Sequence, residues 1–156
     1  MRRLNVECQK TLKLSHVLIK EVNVGSDENE AVILEQMENY IKSKSAVPVG
    51  PLIQYAGAHA AADGSMELTV RYLRQLSKQI NCNDSDYRFQ DEIAVNHCLY
   101  IRFVGREEHL RLAYDKLNLY AYEEELKTRG DAYSVFVSQT DDIMVTDVFM
   151  ECEENE

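Results

Sequence analysis

The sequence repeats one order of predicted elements, strand–helix–strand–strand, in its two halves. In the first half the β-branched run LKLSHVLIKEV predicts a strand, and Gly25-Ser26-Asp27 then supplies a break and a helix cap. Residues 28–45 predict a helix, because apolar residues recur there at helical spacing until Pro48. The segments LIQYAG and MELTVRYLRQL predict the two strands that complete the unit.

The second half follows the same order. YRFQDEIAVNHCLYIRFVG predicts a strand, a short turn and a further strand, and residues 107–129 predict a helix with one apolar stripe. Gly130 is expected to end this helix, because a left-handed backbone costs glycine nothing. AYSVFVS and IMVTDVFMEC predict two strands joined by a turn at residues 139–142.

This duplication predicts an α+β fold in a single domain spanning residues 1–156. We expect two β-α-β-β units, at about 10–80 and 86–152, related by a pseudo-twofold axis. Each unit should carry one helix on an antiparallel sheet, with a groove or pocket between the units. The acidic tail, residues 151–156, is expected to fray.

The charge balance restricts the class of partner. The chain has 17 Lys and Arg against 27 Asp and Glu, a net charge of −10, which argues against direct nucleic-acid binding and against anionic membranes. The N-terminal segment lacks an apolar signal region, and no segment approaches the roughly 20 apolar residues of a membrane span. A cationic small molecule is compatible with this charge.

Metal, cofactor and disulfide chemistry find no support in the motifs. The four cysteines form no CxxC pair and the four histidines are dispersed, so we expect no metal site and a reduced, cytoplasmic protein. The six glycines are scattered and no GxxxxGK loop occurs, so no cofactor is expected.

Strand alternation indicates a candidate binding surface. The faces opposite the apolar ones mix aromatic rings with isolated polar groups, whereas a solvated face would carry mostly Lys, Glu and Thr. This set contains Tyr100, Ser134, Phe136, Asp147 and Phe149. The alternative interpretation is a half-exposed sheet whose aromatic residues have no ligand.

From Tyr87 to Cys152 the sequence resembles the GyrI-like effector-binding domain of AraC- and MerR-type regulators, which also occurs as stand-alone proteins. The resemblance rests on CLYIRFVGREEHLRLAYDKLNLYAYEEELKTRGDAYSVFVSQ followed by MVTDVFME. It implies two β-α-β-β units and a pocket for a small molecule, in drug-responsive members a lipophilic cation held by aromatic rings over a glutamate. Ser134 stands in place of that glutamate here, whereas Asp147 and Phe149 keep the second acid and its aromatic neighbour.

The resemblance therefore implies a ligand site, and because Ser134 replaces the glutamate we assign no catalytic residue. Its candidate members are Tyr55, Tyr72, Tyr100, Glu107, Ser134, Phe136, Asp147 and Phe149. Several of them have a structural alternative: Asp147 pairs with Arg102 across the sheet, Glu107 stabilises a helix N-terminus, and the strand tyrosines Tyr55 and Tyr72 are merely half-buried.

Three functions remain open from the sequence. The first is a small-molecule effector-binding domain, either stand-alone or serving a DNA-binding domain on a missing segment or another chain, with a homodimer as a further hypothesis. The second is a hydrolase of small electrophilic compounds, which would need a carboxylate or imidazole as general base. The third is a protein-interaction module of the gyrase-inhibitor type, whose acidic surface would bind a basic partner.

Overall fold

The structure, a computed structural model, describes residues 4–23 and 29–153. Within them the chain is α+β, with six antiparallel strands and two α-helices. The elements in chain order are β1 Glu7–Val22, α1 Glu30–Ser43, β2 Pro48–Ala60, β3 Met66–Leu76, β4 Arg88–Gly105, α2 Arg111–Glu123, β5 Asp131–Thr140 and β6 Ile143–Glu151. A single 3₁₀ turn at Glu107–His109 precedes α2. Neither helix is long and apolar enough to cross a lipid bilayer.

The chain divides into two compact units. One comprises Lys13–Ile93, and the other comprises the N-terminal segment up to Leu12 together with the chain from Ala94 onward. We call them the first unit and the second unit. The first unit contains the order strand–helix–strand–strand as β1 from Lys13 onward, α1, β2 and β3, and it also includes the start of β4 up to Ile93. The second contains this order as β4 from Ala94 onward, α2, β5 and β6, and it also includes the start of β1 up to Leu12. The predicted element order is thus confirmed within each unit.

Each unit places its last strand in the middle of its sheet. In the first unit β3 pairs with both β1 and β2, and in the second β6 pairs with both β4 and β5, always antiparallel. One face of each sheet packs against the helix of its own unit. The apolar cluster under α1 includes Leu18, Met37 and Ile41, and the cluster under α2 includes Phe103 and Leu117.

The start of α1 differs in detail from the prediction. The helix begins at Glu30, and the side-chain Oδ1 of Asn29 accepts a hydrogen bond of 2.8 Å from the amide of Ala31, which is typical of an N-cap. The predicted cap at residues 25–27 lies outside the described residues.

The predicted end of α2 is wrong. The helix stops at Glu123, and the left-handed residue that follows it is Glu125, with φ of 56°. Gly130 also has a left-handed φ, of 80°, but it lies beyond the helix, directly before β5. The amide of Leu126 donates to the carbonyl of Ala121 at 2.8 Å, and Leu126 then packs against the apolar cluster. This hydrogen bond and apolar contact are typical of a Schellman end. Burial of Leu126 therefore ends the helix early.

The turn predicted inside residues 87–105 is also wrong, because β4 runs unbroken from Arg88 to Gly105. His97 lies in its middle with φ of 58°, so the strand absorbs a local irregularity without ending. The last hairpin has a shorter turn than predicted: β5 ends at Thr140, Asp141 takes φ of 55°, and β6 begins at Ile143.

Candidate functional site

The sheet of the second unit has one face that α2 does not cover, and its side chains are set by register. Tyr100 of β4 lies opposite Phe149 of β6, which lies opposite Tyr133 of β5. In the next row Arg102 lies opposite Asp147. Cross-strand partners share a face of a sheet, so a row of three aromatic rings lies next to one ion pair. We call these five residues the aromatic face.

Asp147 is the best-connected polar group of the aromatic face. Its Oδ1 accepts a hydrogen bond of 2.7 Å from the Tyr100 hydroxyl and one of 2.8 Å from Nε of Arg102. Its Oδ2 accepts a bond of 2.9 Å from Nη2 of Arg102, which makes the ion pair bidentate. The Asp147 side chain is only 15% exposed, whereas that of Arg102 is 54% exposed.

These contacts favour the ionised form of Asp147. Burial raises the pKa of a carboxyl group, but the hydrogen bonds from Arg102 and Tyr100 and the guanidinium charge outweigh it, so the pKa of Asp147 lies below its ordinary value. Burial and the neighbouring carboxylate raise the pKa of Tyr100 to about 12, so this phenol stays a hydrogen-bond donor at neutral pH.

The rings beside Asp147 are arranged for contact with a planar or cationic group. The centroids of Tyr100 and Phe149 lie 5.0 Å apart with a tilt of 42° between the rings, and both rings, like that of Tyr133, are half-buried. Such rings attract a cation through their faces and stack on an aromatic ligand. The aromatic face therefore combines apolar contact with one shielded negative charge.

Two of the candidate residues lie on the other face of the same sheet. Ser134 pairs in register with Val148 and Phe136 with Thr146, both fully buried, so these side chains point to the cluster under α2. The Ser134 hydroxyl is hydrogen-bonded to the hydroxyl of Tyr114 on that helix. The prediction that Ser134 and Phe136 share a face with Asp147 and Phe149 is wrong, because alternation within a strand leaves the cross-strand register open.

Glu107 is not part of the aromatic face. It is exposed in the 3₁₀ turn and lines a surface hollow of about 390 Å³ with Arg106, Glu108, Gln139 and Asp142. Arg106 forms an ion pair of 3.2 Å with Glu108. This hollow contains no residue of the aromatic face.

Tyr55 and Tyr72 belong to the first unit and lie on opposite faces of its sheet, since Tyr55 pairs with Arg71 and Tyr72 with Gln54. Tyr55 is buried, its hydroxyl is 3.3 Å from Nε2 of His59, and the Arg71 guanidinium lies 5.0 Å from its ring centroid. Tyr72 packs in the cluster under α1, and burial together with Glu30 raises its pKa to about 12.

Of the eight candidates the structure thus brings Tyr100, Asp147 and Phe149 together. Sequence reasoning considered Arg102 only as a partner of Asp147 and did not include Tyr133 in the site. Tyr133 could have been found from alternation in β5 only if the register with Phe149 had been known. In the described part of the chain, no three His, Cys, Asp or Glu side chains lie close enough to hold a metal ion.

Comparison with known proteins gives a likeness of fold. No protein-family model matches the chain, and no curated protein sequence matches it significantly. A hydrolase from Listeria innocua superposes with a TM-score of 0.63 at 12% identity, covering 97% of this chain and 92% of the hydrolase. An uncharacterized conserved protein from the same organism gives 0.64 at 12% identity, with 97% and 93% covered.

EcmrR, whose cryo-EM structure shows it in complex with DNA, gives a TM-score of 0.70 at 13% identity. The alignment covers 97% of this chain and 58% of EcmrR, so the chain corresponds to little more than half of that protein. At these identities the comparisons show a shared fold, and that fold is consistent with the GyrI-like resemblance of the sequence.

Proposed function

We propose that the chain is a small-molecule effector-binding domain of the GyrI-like type and that it binds a lipophilic cation on the aromatic face. The observation that carries the proposal is the Asp147 carboxylate, which is mostly buried and ionised beside Tyr100 and Phe149. A desolvated carboxylate next to aromatic rings favours an organic cation, which gains both ion pairing and cation–π contact.

Arg102 is the internal competitor for that cation. Its guanidinium occupies both oxygens of Asp147, but more than half of its side chain is exposed. Exposed ion pairs contribute little net free energy, because water solvates a displaced guanidinium well. A ligand cation that also stacks on Tyr100 and Phe149 can therefore displace Arg102, whereas a small inorganic cation would first have to lose its tightly held hydration shell.

The hydrolase alternative finds less support at this site. A general base is most effective when its pKa lies near the working pH. The hydrogen bonds to Asp147 lower its pKa and so move it further from neutral pH. The fold is shared with EcmrR, which forms a complex with DNA, and this likeness is compatible with a regulator-associated role whose DNA-binding domain lies on another segment or chain.

A thermal-shift comparison of two ions of the same shape tests the proposal. Tetraphenylphosphonium and its anionic isostere tetraphenylborate would each be titrated into the wild type, Asp147→Asn, Phe149→Ala and Glu21→Gln. The Glu21→Gln variant is the matched control, because Glu21 also forms a cross-strand ion pair, with Arg71 at 3.0 Å in the first unit. A ligand that binds only the native state raises the melting temperature.

We expect tetraphenylphosphonium to stabilise the wild type and Glu21→Gln and to lose most of this effect in Asp147→Asn and Phe149→Ala. An equal shift in all four proteins would place binding elsewhere. A larger shift with tetraphenylborate would contradict the charge assignment. No shift with either ion would favour the protein-interaction alternative.

A further inference from the structure

The two units match each other residue by residue at several backbone landmarks. His16 and His97 each adopt a left-handed conformation inside a strand, with φ of 52° and 58°. The amide of Ser77 donates to the carbonyl of Val47 at 2.9 Å, and in the same way that of Glu153 donates to Lys127 at 2.7 Å. These landmarks allow the packing inside one unit to be compared with the packing inside the other.

In the first unit an aromatic ring lies beside the left-handed histidine. Phe89 stacks on His16, with a centroid distance of 6.3 Å and an angle of 13° between the rings. The same ring packs against the apolar cluster that contains Leu18, Ala46 and Leu76. Phe89 therefore fills the space between the histidine, the strand and the chain that follows the helix.

In the second unit the corresponding space is a cavity. Phe89 follows Cys8 by the same number of residues as His97 follows His16. Cys8 therefore takes, beside His97, the position that Phe89 takes beside His16, and a small thiol replaces the ring. The result is a cavity of about 180 Å³. Its apolar lining is formed by the residues that correspond to Leu18, Ala46 and Leu76, the cluster against which Phe89 packs. Those counterparts are Leu99, Leu126 and Cys152.

We propose that this cavity is a second ligand site, distinct from the aromatic face, that holds a single aromatic ring in the position that Phe89 occupies in the first unit. The volume suffices, because a protein cavity of about 150 Å³ binds benzene. His97 supplies the face on which the ring would stack, as His16 does for Phe89. The occupant is thus inferred from a ring that the chain itself supplies in its other half.

The polar groups that line the cavity indicate which functional group a ligand should carry. Its polar lining includes the Gln9 carboxamide, 3.3 Å from Nδ1 of His97, and the Glu153 carboxylate, which also pairs with Lys127 at 3.7 Å. Both groups offer acceptor oxygens to a ligand that carries a hydroxyl or amine. The class of ligand is therefore a monocyclic aromatic compound with a hydrogen-bond donor, of which phenol is the simplest probe.

Alkylation of Cys8 reports directly on occupancy, because Cys8 is an exposed thiol that lines the cavity. The reduced wild-type protein would be treated with iodoacetamide with and without phenol, and the modified peptides would be quantified by mass spectrometry. Cys82, a partly exposed thiol of the first unit, is the internal control. Phenol at ten times its dissociation constant should slow Cys8 alkylation about tenfold and leave Cys82 unchanged.

Variants separate this site from the aromatic face. Cys8→Phe should abolish phenol binding measured by saturation-transfer NMR, Cys8→Ser should retain it, and Phe149→Ala should retain the protection of Cys8. Toluene, which matches phenol in shape and lacks the donor, should protect Cys8 less than phenol does. The proposal is overturned if phenol leaves the Cys8 rate unchanged, slows Cys8 and Cys82 equally, or binds Cys8→Phe as well as the wild type.

Discussion

Replacing Asp147 with asparagine tests the central ion pair of the aromatic face. The carboxylate accepts three hydrogen bonds, one from Tyr100 and two from Arg102. Asparagine can keep the two bonds to Oδ1, but it presents its amide group to Nη2 of Arg102 in place of Oδ2. One of the three bonds is therefore lost, and the other two no longer involve a carboxylate charge. Hydrogen bonds to charged groups contribute about 1.5–3 kcal/mol each, but solvent around the exposed Arg102 reduces this contribution. We expect the free energy of unfolding to fall by about 1–2 kcal/mol.

Urea denaturation at pH 7 measures this loss, with Glu21→Gln as the matched control. Glu21 and Arg71 form a cross-strand ion pair whose side chains are 54% and 33% exposed, so that variant should lose no more than about 0.5 kcal/mol. Equal losses in the two variants would mean that the burial of Asp147 adds nothing to its ion pair, and would refute the reasoning.

The pH dependence gives a second test of the same carboxylate. The folded-state pKa of Asp147 lies below its ordinary value of 3.8, so its ionisation stabilises the folded protein above that pH. This contribution is lost as the pH falls through the folded-state pKa. The difference in stability between wild type and Asp147→Asn should therefore shrink below about pH 4. A difference that stays constant from pH 7 to pH 3 would contradict the assignment.

Three further variants test other parts of the structure. Tyr100→Phe removes the hydroxyl that donates to Asp147 and should lower the free energy of unfolding by about 1 kcal/mol in urea denaturation, and a loss near zero would argue against this hydrogen bond. Ser134→Ala removes the hydrogen bond to Tyr114 and should lower stability by about 1 kcal/mol while leaving tetraphenylphosphonium binding unchanged, so weakened binding would place Ser134 in the ligand site. Glu125→Gly, at a left-handed position, should raise the melting temperature, and a decrease would contradict the assigned helix end.

The order of elements could be predicted because hydrophobic periodicity is a local property. β3 begins and ends at the residues predicted from MELTVRYLRQL, and each unit contains its strand, helix and strand pair in the predicted order. Residues with a left-handed backbone were harder to predict from the sequence. Glycine signals them well at Gly130, whereas Glu125 and His97 adopt the same conformation because surrounding packing and hydrogen bonds require it.

The candidate site could be predicted only in part, because it depends on register between strands. Alternation within β6 correctly places Asp147 and Phe149 on one face and Val148 on the other. The sequence of β5 alone does not determine whether Tyr133 or Ser134 lies opposite Phe149. The register between β5 and β6 decides this, and with it which side chain joins the site. The cavity at Cys8 could not be predicted, because its lining comes from separate segments of the chain that only the fold brings together.

Calorimetric titration of tetraphenylphosphonium into wild type and Arg102→Ala tests most directly whether the aromatic face binds a cation at Asp147. Removing the guanidinium frees both carboxylate oxygens, so the cation no longer has to displace an internal competitor. If that displacement costs about 1 kcal/mol, affinity should rise roughly fivefold in Arg102→Ala. Unchanged or weaker binding in Arg102→Ala would contradict a cation site at Asp147.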